Sequence, residues 1–79
     1  MKIPRNIRGH ELVKALSVLG YTVVRQTGSH IRIKTTMNGD HAETIPNHDP
    51  IKIGTLNKIL NNIAEHFEIT KEDLVNRLF

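Results

Sequence analysis

The stretch RQTGSHIRIK, residues 25–34, brings a histidine together with several cations. His30 follows a Gly28-Ser29 turn and begins an alternating run, so it shares one strand face with the basic residues that follow. The neighbouring cations are Arg25, Arg32 and Lys34. An imidazole can give or take a proton near neutral pH. The pattern leaves three roles open for His30: packing, metal binding, or proton transfer on an anionic substrate.

Metal binding is the least favoured of these roles. The chain has no cysteine, which excludes disulfides and thiolate metal sites. Its histidines show no recognised ligand spacing, and the acids Glu43 and Asp49 complete no known pattern. We therefore expect no metal and no other cofactor. Away from His30 and His48, the histidines are expected at the surface: His10, His41 and His66.

Proton transfer on RNA needs little more than these residue types. A base must take the proton of a 2′-hydroxyl, an acid must protonate the leaving 5′-oxygen, and cations must hold the phosphate. Ser29 and the backbone N–H groups of the Gly28 turn could donate hydrogen bonds to phosphate. Ser29 is not expected to be a nucleophile activated by His30, because adjacent strand residues point to opposite faces. Residue types alone favour the alternative, that His30 is an ordinary surface histidine at the start of a strand.

His48, in the loop sequence PNHDP, is the candidate for a second acid–base group. Asp49 beside it could orient the ring, as carboxylates do for many catalytic histidines. The alternative is a turn residue held between two prolines. The sequence does not decide between these two interpretations.

Size and charge restrict where such chemistry could take place. The 79 residues predict a single domain, residues 1–79, too small to enclose a deep substrate cavity. Residues 1–41 hold seven Lys/Arg and two acids, whereas residues 42–79 hold four and six. This asymmetry favours an anionic partner for the first half. No apolar run predicts a signal peptide or a membrane span, so a cytoplasmic protein without membrane contact is expected.

The hydrophobic pattern predicts an α+β fold. Leu12, Ala15, Leu16 and Leu19 form a helical stripe ending at Gly20, with Asn6 as the expected N-cap. YTVVRQ and HIRIKT read as strands, and Asn38-Gly39 predicts a hairpin to a third strand, HAETI. A second helix is expected to start at Gly54 or Thr55, and a short third one after the cap residue Thr70.

These elements predict a three-stranded antiparallel sheet with both longer helices on one face. The opposite face stays open to solvent and should carry His30, Arg32 and Lys34. The faces taken by Val23 and Val24 are ambiguous, because both residues are apolar.

The ordered motifs of the chain resemble the HicA (YcfA-like) mRNA interferase toxin family. The resemblance extends over nearly the whole chain and includes G-x-E-L-x-K-x-L, a Gly-aromatic pair, R-Q-x-G-S-H, P-x-H and G-T-L-x-x-I-L. In this sequence these are Gly9, Glu11, Leu12, Lys14, Leu16, Gly20, Tyr21, Arg25, Gln26, Gly28, Ser29, His30, Pro46, His48, Gly54, Thr55, Leu56, Ile59 and Leu60.

This resemblance implies an α-β-β-β-α fold like that of a double-stranded-RNA-binding domain. It also implies a ribosome-independent endoribonuclease of the mRNA interferase type, with His30 as the catalytic residue, and neutralisation by a HicB-like antitoxin that covers this histidine. We predict that cleavage of mRNA is metal-independent, because an acid, a base and cations are sufficient for the reaction. Two other hypotheses use the same surface: a non-catalytic RNA-binding module, and an adaptor whose true partner is an acidic antitoxin.

Overall fold

The computed structural model describes residues 3–79, which form three helices and one three-stranded sheet. The elements in chain order are α1 (Gly9–Leu16), a 3₁₀ turn (Ser17–Leu19), β1 (Thr22–Thr27), β2 (His30–Thr35), β3 (His41–Pro46), α2 (Ile53–His66) and α3 (Lys71–Leu78). The strand order is β1-β2-β3, and both pairings are antiparallel. The predicted α-β-β-β-α arrangement and the short C-terminal helix are confirmed.

β2 shows the alternation that its sequence predicted. Ile31, Ile33 and Thr35 are buried, while His30, Arg32 and Lys34 are exposed. The buried side is the helix side of the sheet, where α1 and α2 pack mainly on β3. The core on this side is made of aliphatic side chains from every helix and from β2 and β3, chiefly Leu12, Leu16, Ile31, Ile33, Ile45, Leu56, Leu60, Ile63 and Leu74.

Gly20 ends the first helical segment, as predicted, with a left-handed φ of 81°. The Thr35 hydroxyl, which is almost fully buried, donates a hydrogen bond to the Leu19 carbonyl at 2.7 Å. This bond joins the end of the helical segment to the end of β2 and satisfies the buried hydroxyl.

The start of α1 differs from the prediction. The N-cap residue is Arg8, not Asn6, which instead takes a positive φ of 61° outside the helix. No Arg8 side-chain atom can accept a bond from the helix N–H groups. Glu11 compensates, because its Oε1 atom accepts a hydrogen bond from the Arg8 backbone N–H at 2.9 Å.

The second helix also begins earlier than predicted. α2 starts at Ile53, so Gly54 and Thr55 lie inside its first turn. The third helix begins as predicted, because the Thr70 hydroxyl accepts a hydrogen bond from the Asp73 N–H at 3.0 Å. Between β2 and β3, Asn38 and Gly39 both take positive φ within a loop of residues 36–40.

Candidate nucleic-acid interface

The open face of the sheet is organised in cross-strand rows that contain the predicted site residues. Directly opposed residues of an antiparallel pair share a face. One row joins Thr27, His30 and Pro46, the next joins Arg25, Arg32 and Thr44, and the third joins Thr22, Lys34 and Ala42. The structure therefore brings His30 and the three predicted cations onto one solvent-exposed face.

A β-bulge in β1 puts Arg25 on this face. Val23 lies opposite Ile33, but the register then shifts, and Arg25 lies opposite Arg32. Without the shift, Arg25 would lie opposite Ile31 on the helix side of the sheet. Bulges change the direction of side chains in this way and occur often beside functional sites. The bulge thus decides toward which side of the sheet the β1 side chains point, which the sequence left ambiguous.

Arg25 and Arg32 form a like-charge cross-strand pair next to the His30 row. Like charges in this position destabilise a sheet unless a counter-ion lies between them. No carboxylate of residues 3–79 comes within salt-bridge distance of either guanidinium. Arg32 Nη1 does donate a hydrogen bond to Thr44 Oγ1 at 2.9 Å, which holds its side chain across β3. Both guanidinium groups therefore remain without a carboxylate partner among residues 3–79.

Lys34 extends the cationic surface by one row. Its Nζ atom lies 3.9 Å from Asp40 Oδ2, and both side chains are about half or more exposed. An exposed pair at this distance contributes little to stability and is screened by salt. The ammonium group of Lys34 thus remains accessible to a phosphate.

The turn before His30 is tight and is connected to the loop that follows β3. Gly28 takes a φ of 56°, which favours glycine at the first position of a two-residue hairpin turn. A Cβ atom there would have open space around it, so the requirement is conformational and not steric. The Ser29 carbonyl accepts a hydrogen bond from the Asn47 N–H at 2.6 Å. This bond holds the loop of residues 47–50 against the turn that carries His30.

His48 therefore lies at the same end of the sheet as His30. Pro46, two residues before His48 in the chain, lies directly opposite His30. The His48 side chain is exposed, and its carbonyl accepts a hydrogen bond from the Gly9 N–H at 3.1 Å. Asp49 does not orient the His48 ring as the sequence suggested, because its Oδ2 atom lies 3.2 Å from Arg8 Nε. The loop is thus tied both to the start of α1 and to the Gly28-Ser29 turn.

Contact between α1 and this loop requires a residue without a side chain. Gly9 is buried, and a Cβ atom at this position would lie 2.5 Å from the Pro46 carbonyl oxygen and 2.8 Å from Asn47 Cα. Both are backbone atoms, which cannot move without displacing the loop. Gly9 therefore determines how closely the loop with His48 approaches the body of the fold.

The other surfaces of residues 3–79 hold fewer candidate functional residues. Among residues 3–79, no group of three or more His, Asp or Glu side chains has the geometry to hold a metal ion. No helix in that range has the length and hydrophobicity required to cross a bilayer. One groove lies between the N-terminal segment and α3, and its lining contains no predicted site residue: Ile3, Pro4, Arg5, Ile53, Val75, Asn76 and Phe79.

The prediction that His41 is a surface residue was wrong, and His66 is partly buried and not fully exposed. The His41 side chain is 22% exposed, and its Nδ1 atom lies 2.7 Å from the Tyr21 hydroxyl. The rings of His41 and His66 stack with their centroids 4.5 Å apart, and His66 Nε2 donates to the Met37 carbonyl. His41 lies opposite Thr35, on the helix side, which the alternation of β3 could have indicated. His10 is exposed, as predicted.

Burial lowers the pKa of His41 below its ordinary value, and the neighbouring His66 lowers it further. Glu43, whose carboxylate lies 3.4 Å from His41 Nε2, acts in the opposite direction but does not outweigh burial. Burial, followed by the charge of Glu43, also raises the pKa of Tyr21. Hydrogen bonds and ring stacking therefore hold this cluster together.

We expect the protein to lose stability in mild acid because of His41. Its pKa is lower in the folded chain, so the unfolded chain binds more protons below about pH 6.5. The contribution of His41 to the free energy of unfolding is therefore complete above that pH. It is lost as the pH falls toward and through the pKa of His41 in the folded chain. Urea unfolding of wild type and His41→Gln at pH 7.5 and 5 should show a smaller pH dependence for the variant. His10→Gln, at an exposed position, should keep the wild-type dependence; equal dependence in all three proteins would contradict this assignment.

The fold and the face together define the class of the protein: an α+β domain of α-β-β-β-α order, with a cationic open sheet face. The family model described as "HicA toxin of bacterial toxin-antitoxin" matches residues 9–64, which include the entire candidate site. The chain therefore belongs to the HicA toxin family and is the toxin of a toxin–antitoxin system, which implies an antitoxin partner. No curated protein and no solved structure matches the chain.

Proposed function

We propose that this toxin is a metal-independent endoribonuclease that cleaves mRNA on the open face of its sheet and so inhibits translation and growth. The observation that carries the proposal is the Arg25–Arg32 pair in the row next to His30, two cross-strand cations with no carboxylate of residues 3–79 within salt-bridge distance. A phosphodiester bound on this face could accept hydrogen bonds from both guanidinium groups and would lie beside an imidazole.

The proposed reaction is attack of a ribose 2′-hydroxyl on the adjacent phosphorus. A base takes the 2′-hydroxyl proton as the O2′–P bond forms, and an acid protonates the 5′-oxygen as the P–O5′ bond breaks. The products are a 2′,3′-cyclic phosphate and a 5′-hydroxyl end. His30 is assigned one of these proton transfers, and His48, at the same end of the sheet, is the candidate for the other. A positioned acid or base contributes typically ~10²–10⁴ in rate.

The other site residues stabilise charge. Arg25, Arg32 and Lys34 would contact the phosphate and its neighbours, and negative charge on the phosphorane oxygens strengthens these contacts in the transition state. The Ser29 hydroxyl and the N–H groups of the Gly28 turn would add hydrogen bonds from neutral donors. None of these steps calls for a metal ion.

The test is cleavage of a defined single-stranded RNA by the purified protein in the presence of excess EDTA. We expect cleavage to continue, with 5′-hydroxyl and cyclic phosphate ends that are identified by mass spectrometry. A product with a 3′-hydroxyl and a 5′-phosphate would refute the 2′-hydroxyl mechanism. Complete inhibition by EDTA would refute metal independence.

The second candidate is a non-catalytic RNA-binding module, which the same cationic face supports. It predicts RNA binding without product formation under any of these conditions. A protein adaptor that recognises only an acidic antitoxin predicts instead that no salt-dependent RNA affinity exists.

RNA affinity should fall with salt, and the slope should depend on the open face. For single strands, each phosphate contact contributes roughly −0.7 to the slope of log K against log salt. These measurements use a His30→Ala background, which prevents cleavage. Arg32→Gln or Lys34→Gln should each make the negative slope shallower by about 0.7. Lys58→Gln, an exposed position on α2, is the matched control and should leave the slope unchanged. Equal slopes for all variants would place RNA on another surface.

A further inference from the structure

The two edges of the sheet differ sharply in how they are covered. Every residue of β3 is at least partly buried, and α1 and α2 pack on this strand. Every residue of β1 is exposed, and no strand among residues 3–79 pairs with its outer edge. β1 therefore presents unpaired backbone N–H and C=O groups together with uncovered side chains on both faces.

Two of the uncovered side chains are apolar. Val23 lies opposite Ile33, so it is on the helix side of the sheet, yet it is 51% exposed. Val24, at the bulge, is 56% exposed. Proteins usually prevent a free edge from pairing with another strand by means of charges, prolines or bulges. β1 has a bulge and one charge, Arg25, but its two adjacent valines remain in water. An edge that exposes apolar side chains beside unpaired backbone groups is a template for pairing with another chain.

We propose that the antitoxin of this system docks on the outer edge of β1 by adding a strand to the sheet, with apolar side chains against the valines and acidic side chains toward the open face. The occupant follows from charge complementarity. β1 and β2 contain several basic side chains and no Asp or Glu. An acidic partner strand is attracted to this surface, and backbone hydrogen bonds supply affinity in such additions.

A second copy of this chain fits the edge less well. Pairing two β1 strands would place two cationic faces side by side and bring both Arg25 side chains into one small region. Each chain carries a net charge of +3, so the repulsion is not offset elsewhere. The bulge also interrupts a regular ladder between identical strands.

Docking at this edge would also explain how the antitoxin inhibits the toxin. This consequence rests on the proposed function. β1 ends at Thr27, directly opposite His30. Adjacent strands lie about 4.8 Å apart, so an added strand would lie about 10 Å from the β2 backbone at His30. Acidic side chains on its open face would reach Arg25 and compete with RNA phosphate.

The experiment uses the His30→Ala toxin, which lacks the proposed catalytic group, and its cognate antitoxin. Affinity is measured by isothermal titration, and backbone amide exchange is followed in the free and bound toxin. We expect Val24→Lys to weaken antitoxin binding at least tenfold. Val18→Lys, at a valine that is 63% exposed outside the sheet, should change binding less than twofold. Amides of residues 22–27 should become protected in the complex.

Unchanged affinity of the Val24→Lys variant, or protection confined to other segments, would overturn the proposal. Protection of β1 that increases with toxin concentration in the absence of antitoxin would assign the edge to a second copy. Protection by RNA alone would assign it to the substrate. Because binding is measured in an inactive variant, the result does not depend on cleavage. Melting curves for both lysine variants verify that each is folded.

Discussion

Replacing His30 with alanine is expected to abolish detectable RNA cleavage and growth arrest while the protein remains folded. The side chain is exposed at the start of β2, so its removal leaves no cavity in the core. Loss of a positioned acid or base should lower the rate by a factor of about 10²–10⁴. RNA affinity should change little, because Arg25 and Arg32 remain on the open face. Cleavage rates, RNA binding and thermal melting of the same preparations measure these three effects separately.

The matched control for this substitution is His10→Ala. His10 is also exposed, but it lies in the first turn of α1 and outside the cross-strand rows. The His10→Ala variant should cleave RNA at the wild-type rate. His48→Ala should lower the rate without affecting affinity if it supplies the second proton transfer. A His30→Ala protein that still cleaves at the wild-type rate would remove His30 from the chemistry.

Replacing Gly9 with alanine is expected to have the largest structural effect of any change at a glycine in a helix of this protein. Helix propensity alone would favour alanine by up to about 1 kcal/mol. The new Cβ atom, however, would lie 2.5 Å from the Pro46 carbonyl oxygen, and overpacking of this kind costs about 1–3 kcal/mol. The loop that holds His48 must therefore move, and the Asn47–Ser29 hydrogen bond beside His30 is strained with it.

Gly54→Ala provides the comparison. Gly54 also lies in the first turn of a helix, α2, and a Cβ atom there meets nothing within 4 Å. We expect Gly54→Ala to leave the melting temperature unchanged or slightly higher. Gly9→Ala should lower it by about 4–8 °C for each 1 kcal/mol lost. The turnover number of Gly9→Ala should fall with little change in KM, since the open cationic face is not touched. Identical melting temperatures for the two variants would show that the loop accommodates the methyl group.

Much of the fold follows from local patterns. The apolar stripes, the Gly20 terminus and the Thr70 cap predicted three helices, because each signal acts within one or two turns. The starts of α1 and α2 were misplaced by two residues or less. Arg8 and Lys52 precede those helices without a side-chain cap, so no residue type marked the boundary.

The candidate site was predictable where it depends on strand alternation. HIRIKT places His30, Arg32 and Lys34 on one face whatever the rest of the chain does, because side chains alternate along any strand. The resemblance then gave His30 its catalytic assignment. The surroundings of His41 were not foreseen, because its partners Tyr21 and His66 come from distant segments.

The sequence by itself thus determined the cationic face of β2, the element order and the identity of the candidate proton-transfer group. Only the tertiary structure decided that Arg25 joins that face, since the direction of its side chain depends on a bulge in the β1–β2 pairing. It also decided that the His48 loop lies against the Gly28-Ser29 turn, and that every residue of β1 is exposed. Pairing register and packing depend on contacts between segments far apart in the chain, and no local pattern of residue types encodes them.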